Sequence, residues 1–334
     1  MGIYILDSAV FVAALCYYRY MNTKEPQTLQ EAIIYFSDPD RCLQVVAKAR
    51  WTDGKATCPR CGHKETSFIS TRRVWQCKGK GCKKQFSVKV GTIFEDSPLG
   101  LDKWLCAVWL VTNAKNGISS CEISRALGVT QKTAWFMLQR IRLAMRTGSL
   151  EKLSGEVEAD ETYVGGKAKN MHIRRRNKYQ RGRGGSGKAI VLGMLERKGK
   201  VVAKVVPNVQ RKTLQPEVRQ TVQEGSELFT DALHAYTGLD DEYAHQVIDH
   251  AEKYVDGKVH TNSLENFWSL FKRCIHGTYV AVEPFHLERY LDEQTFRFNN
   301  FRDDDKERFV RVMRSVGGRR LTYRELIGKS QQAE

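Results

Sequence analysis

His260-Thr261-Asn262-Ser263-Leu264-Glu265-Asn266-Phe267-Trp268-Ser269-Leu270-Phe271-Lys272-Arg273 is the stretch on which the fold turns. Leu264, Phe267, Trp268 and Phe271 recur at a three-four spacing, which predicts a helix with one buried face. Glu265 and Lys272 are seven residues apart. Two helical turns return them to nearly the same azimuth, about 20° off, and roughly 10 Å apart along the axis. One carboxylate and one amine then share a polar face over an aromatic base. Asn262-x-x-Glu265 also fits a capping box, in which Glu265 would merely satisfy a backbone amide. The choice between a site and a helix start depends on whether other acids reach this helix.

Two other stretches supply them. In 155–165, Val157 and Ala159 alternate with Glu156 and Glu158, as in a strand expected to end near Asp160 before Gly165-Gly166. Crowded carboxylates repel one another unless a cation sits between them, although a solvated strand edge is the plain alternative. Residues 189–195 and 201–206 read as a hairpin, 213–222 as a helix, 228–231 as a short strand ending in Asp231, and 246–249 as another strand. The order predicts an α/β domain over 154–302, an antiparallel hairpin leading into parallel strands with helical crossovers. Acids at the carboxyl ends of neighbouring strands converge on one crevice. On this reading Asp160 and Asp231 both end strands, and Glu265 arrives on a helix crossing over them. His234 reads as a structural histidine more readily than as a phosphate contact. A further helix carries Leu287, Tyr290, Leu291, Phe296 and Phe298, with Asp292 and Glu293 read as surface charges. Residues 303–334 read as a charged, peripheral tail.

Upstream, Cys58 and Cys61, then Cys77 and Cys82, form two close thiolate pairs on glycine-containing turns, the spacing of a four-sulfur zinc ribbon over 56–92. So small a module has little core, and the metal would supply its folding energy. A full ligand set leaves no open position, so this zinc is structural. His63 reads as a bystander. Residues 1–55 form an N-terminal extension and helical lead-in, with the first twenty read as an upstream start or a loosely held extension. Over 100–147, Trp104, Leu105, Val108, Trp109 and Val111 mark one helix. A second helix, a Gly128 turn, a Thr130 cap and a third helix then follow in helix-turn-helix order, with Gln131, Lys132, Gln139 and Arg140 as candidates to face DNA.

The composition agrees with a polyanionic partner. The 334 residues carry 54 Lys and Arg against 38 Asp and Glu, a net charge of +16, and double-stranded DNA is the first candidate. The basic, glycine-rich stretch 167–188 reads as a loop that touches phosphates. Nine cysteines, an odd count, argue for a metal site in a reducing compartment and against a disulfide framework. Cys16, Cys42, Cys106, Cys121 and Cys274 read as small buried hydrophobes. No stretch reads as a membrane span, and a cytoplasmic location is expected.

Taken together, the zinc ribbon, the helix-turn-helix, Asp-Glu-Thr-Tyr-Val-Gly-Gly-Lys at 160–167, Thr-Asp-Ala-Leu-His-Ala-Tyr at 230–236 and the helix at 260–273 resemble the bacterial insertion-sequence transposases with an ISXO-type DDE domain, the IS fifteen-ninety-five group. The resemblance implies a ribonuclease-H-like fold with Asp160, Asp231 and Glu265 as the acidic triad, and Lys272 matches the family's lysine. It implies that these acids hold two Mg²⁺ (or Mn²⁺) ions about 4 Å apart for phosphoryl transfer. Metal-dependent cleavage and strand transfer at element ends, by a homo-oligomer on DNA, would follow. The alternatives are a non-transposing nuclease of the same fold and a zinc-ribbon regulator.

Overall fold

Thr28 opens the first helix of the described chain. Its hydroxyl accepts from Glu31 N–H while the Glu31 carboxylate accepts from Thr28 N–H, a reciprocal cap that starts α1 (Leu29–Phe36). The computed structural model describes residues 25–146, 151–166, 187–248 and 260–329. The chain forms two units: one is built from the N-terminal part to Ala114, Ser120–Ala144 and the part from Arg302 on, the other from Lys115–Ser119 and Met145–Phe301.

In the first unit, Asp38 caps α2 (Pro39–Arg50). The ribbon strands β1 (Thr66–Ile69), β2 (Val74–Cys77) and β3 (Gln85–Phe86) pair antiparallel. Their register sets Trp75 between Phe68 and Phe86, with ring centroids 4.9 and 6.2 Å away, and Trp51 closes over it at 4.9 Å. These four rings form one aromatic cluster on the ribbon. Helix α3 (Leu101–Asn113) buries Trp104, Leu105, Val108, Trp109 and Val111, as their spacing predicts. Helices α4 (Ser120–Leu127) and α5 (Gln131–Met145) follow, joined at Gly128, whose φ of +59° suits glycine. Ser124 Oγ donates to Val129 O at 2.6 Å and Thr130 Oγ1 accepts from Thr133 N–H at 3.2 Å, so both sides of the turn are locked.

Two expectations fail in this unit. Gln139 and Arg140 do not face outward: both are buried. Arg140 stacks on Phe136 and donates to the carbonyls of Ile93, Glu95 and Leu321, satisfying backbone groups that water cannot reach. Gln131 and Lys132, at the start of α5, are exposed. The closing segment is also not peripheral. The helix Asp305–Arg314 buries Phe309, Val312 and Met313, and Phe309 meets Phe36 and Trp109 at 5.4 Å each. Its charges occupy only the outer face.

In the second unit, β4 (Glu156–Val164), β5 (Ala189–Glu196), β6 (Val201–Val206), β7 (Glu227–Asp231) and β8 (Ala244–Ile248) form one mixed sheet in the order β6-β5-β4-β7-β8. β4, β5 and β6 pair antiparallel, whereas β7 runs parallel to both β4 and β8. Helix α6 (Arg211–Thr221) packs Leu214 and Val218 on one face against Val157, Ala159, Leu192 and Leu228. On the other face, α7 (Asn262–Cys274) and α8 (Leu287–Asn299) bury Leu264, Phe267, Trp268, Phe271 and Leu291 over Val191, Leu195 and Val201. Strand β4 is therefore covered on both sides. Asp160 is mid-strand, not at a strand end: β4 runs on to Val164 because β5 keeps pairing with it. The parallel pairing with β7 stops at Glu158, and beyond that point the two strands part. Among the described residues no helix is long and apolar enough to cross a membrane. The first twenty residues with Cys16, residues 167–186 of the loop expected at 167–188, and Asp249 lie outside the described residues.

Candidate active site and metal centre

Asp160 lies on the α7 face of β4, where Trp268 Nε1 donates to its Oδ2 at 2.9 Å. The indole fits because Gly193 is opposite Asp160 on β5; a Cβ there would lie 2.6 Å from the ring. Burial pushes the Asp160 carboxyl up to about 6; the Trp268 bond opposes this, and the negative charges of Asp231 and Glu265 add to it. The charges of the other two sequence-selected acids thus reach Asp160. Asp231 closes β7, with Oδ1 accepting from Leu233 N–H at 3.2 Å. Glu265 sits in the first turn of α7 and Lys272, half-buried, in the last. The capping box is not formed. Asn262 is the first helical residue and no Thr261 side chain caps the helix, so Glu265 is one residue too far along for that role.

Glu161 was not singled out by sequence reasoning. Strand alternation turns it to the opposite face of β4, where Tyr236 Oη donates to its Oε2 at 2.8 Å. Burial first, and then the charge of Asp231, raise its carboxyl to about 7. Two raised carboxyls on adjacent residues mark a place where negative charge is crowded and poorly solvated.

The ribbon cysteines form the second centre. Their four sulfurs all lie within 4.8 Å of one another, with Cys58 to Cys82 at 3.8 Å and Cys61 to Cys77 at 3.6 Å. A tetrahedron with zinc–sulfur bonds of about 2.3 Å has edges near 3.8 Å. Among the described residues no set of three carboxylates is gathered as tightly. The cluster supports a structural zinc ion. His63 is outside it, beside Glu65 at 3.7 Å. Cys77→Ser is expected to remove the bound zinc, about one ion per chain, and to change the fluorescence of Trp75 two residues away. Full zinc content in that variant would contradict the assignment.

Comparison with known proteins follows the same division. Residues 37–85 match a transposase zinc-ribbon domain, and residues 152–299 match an ISXO2-like transposase domain. An uncharacterized protein in transposable element ISH50 of Halobacterium salinarum is 28% identical over 296 residues, covering 84% of this chain and 98% of that one. An uncharacterized transposase-like protein of Haemophilus influenzae is 38% identical over 104 residues, 31% of this chain and 84% of its own length. The chain belongs to the ISXO2-like transposase family.

The ribbon match in this transposase begins before α2, and the contacts explain why. Arg73 pairs with Asp40 at 2.5 Å and Arg50 Nη1 donates to Val88 O at 2.5 Å, so the lead-in helix is part of the ribbon's support. Other expectations need correction. Glu293 is not a surface charge: it is fully buried, pairs with Arg297 and accepts from Tyr279 Oη at 2.5 Å. His234 is exposed on a short 3-10 turn. Cys42 and Cys274 are buried as expected, but Cys121 is exposed. The residues missed most completely are Glu158 and Arg197. Alternation with Val157 reads Glu158 as outward, yet it is 0% exposed and bonded to Arg197.

Proposed function

We propose that this transposase binds the ends of its insertion sequence and catalyses metal-dependent DNA cleavage and strand transfer, with Asp160, Asp231 and Glu265 as the metal-holding acids. The observation that carries the proposal is the convergence of three acid-bearing elements: β4 carries Asp160, its parallel neighbour β7 ends at Asp231, and α7, which carries Glu265, bonds Asp160 through Trp268. The sheet order, an antiparallel three-strand run followed by two parallel strands, supports a ribonuclease-H-like reading of the domain.

The donors suit a hard divalent cation such as Mg²⁺ or Mn²⁺: all are carboxylate oxygens, and Asp160 is held at a raised pKa that a cation would relieve. When bound, a pair of such ions supplies an activated nucleophile and charge stabilisation for the leaving oxygen. The protein's own part is placement. Trp268 orients Asp160, the Leu233 amide orients Asp231, and the frame of α7 sets Glu265. Lys272 contributes a cation for the DNA backbone on the same helix. The ribbon, and α4 and α5 as a helix-turn-helix presenting Gln131 and Lys132, hold the element end. The protein works in the cytoplasm as a homo-oligomer on DNA.

Strand-transfer assays with the element's own ends separate a transposase from a nuclease of the same fold, which needs no end-specific reader. Joining of those ends to target DNA is expected; cleavage indifferent to end sequence would contradict the proposal. DNA affinity is also expected to fall on the order of 10²–10³-fold between about 50 and 200 mM salt. A flat salt response in a filter-binding series would count against phosphate contacts by this +16 protein.

A further inference from the structure

Glu158 is fully buried on β4, two residues before Asp160 and on the same face. Its Oε2 accepts from Leu264 N–H at 2.9 Å. Leu264 is the third residue of α7, and its amide is one that a helix start leaves without an internal partner. Most helices satisfy this donor from their own N-cap side chain. Here Thr261 makes no such bond, and a carboxylate from the sheet takes its place. Glu158 Oε1 in turn accepts from Arg197 Nε at 2.9 Å. Arg197 spreads further: Nη2 donates to His260 O at 2.7 Å, Nη1 donates to Glu156 Oε2 at 3.2 Å, and the guanidinium lies 4.1 Å over the Phe229 ring. His260 Nδ1 completes the cluster, 3.4 Å from Glu158 Oε1.

Three points of this cluster fall close to the acids. Glu158 is two residues before Asp160 on β4, Phe229 is two before Asp231 on β7, and Leu264 immediately precedes Glu265 on α7. One pair, with Glu158 fully buried and Arg197 mostly so, therefore touches all three elements that carry the acids. Three mutually repelling carboxylates on separate elements need such ties, and the Trp268–Asp160 bond joins only α7 to β4. The Glu158–Arg197 cluster supplies them from one layer inside.

We propose that the Glu158–Arg197 pair is a positioning device that fixes Asp160, Asp231 and Glu265 relative to one another and so sets the affinity of the site for a divalent cation. The inference rests on reading those three acids as metal-holding. Neither Glu158 nor Arg197 touches the reacting groups; both act through the backbone that carries the acids.

The test uses the full-length protein and Mn²⁺ alone, with free Mn²⁺ read by electron paramagnetic resonance in the absence of DNA. Glu158→Gln keeps an oxygen for the Leu264 amide but loses the charge that orders the guanidinium. It is expected to melt cooperatively, bind element-end DNA as the parent does, and lose Mn²⁺ affinity by about 10- to 100-fold. kcat for cleavage falls, KM for DNA is little changed, and excess Mn²⁺ partly restores the rate. Should Glu158→Gln fail to fold, Arg197→Lys, which keeps the charge and loses the fork, is expected to move Mn²⁺ affinity in the same direction. A folded variant with parental Mn²⁺ affinity and kcat overturns the inference. Glu265→Gln is the control: if it too binds Mn²⁺ like the parent, the acids themselves are misread, whereas loss in Glu265→Gln alone rejects only the positioning role.

Discussion

Glu265→Gln is expected to bind DNA carrying the element's ends as tightly as the parent and to cut it on the order of 10³-fold more slowly, or worse. The substitution is nearly isosteric. The Glu265 amide bonds to Thr261 O whatever the side chain, and the buried face of α7, Leu264, Phe267, Trp268 and Phe271, is untouched. No cap depends on the carboxylate. What disappears is one anionic oxygen donor beside Asp160, and a neutral amide is a poor substitute for it at a hard cation. Asp231→Asn is expected to behave alike, since its amide oxygen still accepts from Leu233 N–H. Gel-shift and cleavage assays on the same DNA with Mg²⁺ check both. Cleavage at the parental rate would remove Glu265 from the chemistry.

Asp160→Asn should make the metal-free protein more stable. The carboxyl is raised from 3.8 to about 6, mainly by burial, which corresponds to a cost of up to roughly 3 kcal/mol when it is ionised in the folded state. The direction of the pH effect follows from linkage. Below pH 3.8 the group is protonated in both folded and unfolded chains and costs nothing. Between about 4 and 6 the unfolded chain releases the proton first, so stability is lost as pH rises through that window, and the loss persists above it. In EDTA near pH 7 the variant is therefore expected to melt higher than the parent, and to gain less than the parent on acidification towards pH 5, the remaining gain coming from Glu161. Mg²⁺ should raise the parent's melting temperature and leave the variant's almost unchanged. Calorimetry in EDTA and in Mg²⁺ decides it. A variant less stable than the parent in EDTA, or one equally stabilised by Mg²⁺, would show that Asp160 is not a strained, cation-seeking carboxylate. Such strain is the usual cost of pre-forming a site.

The elements with one-dimensional signatures were legible in the sequence. The apolar spacing of α7 predicts the face that is buried, and paired cysteines predict sulfurs gathered to zinc-like distances. The hairpin and the strand before Asp231 also follow from pattern alone. What escaped was polar burial, because alternation assigns a residue to a face without saying what covers that face. Glu158 reads as the outer partner of Val157, but β4 has helices on both sides. Arg140 reads as DNA-facing because nothing in its own helix announces the carbonyls of Ile93, Glu95 and Leu321. Glu293 and the helix Asp305–Arg314 misled in the same way, charge counting standing in for packing. Gly165-Gly166 looks like the breaker that would leave Asp160 at a strand end; only the register with β5 shows the strand continuing.

The proposed chemistry requires one arrangement, a divalent cation held jointly by Asp160, Asp231 and Glu265. Crystals of the protein grown with Mn²⁺ and measured at the manganese absorption edge test this directly. Anomalous density between the three carboxylates, absent in Glu265→Gln crystals, is the predicted result. Manganese bound elsewhere, with that space bare of anomalous density, would contradict it.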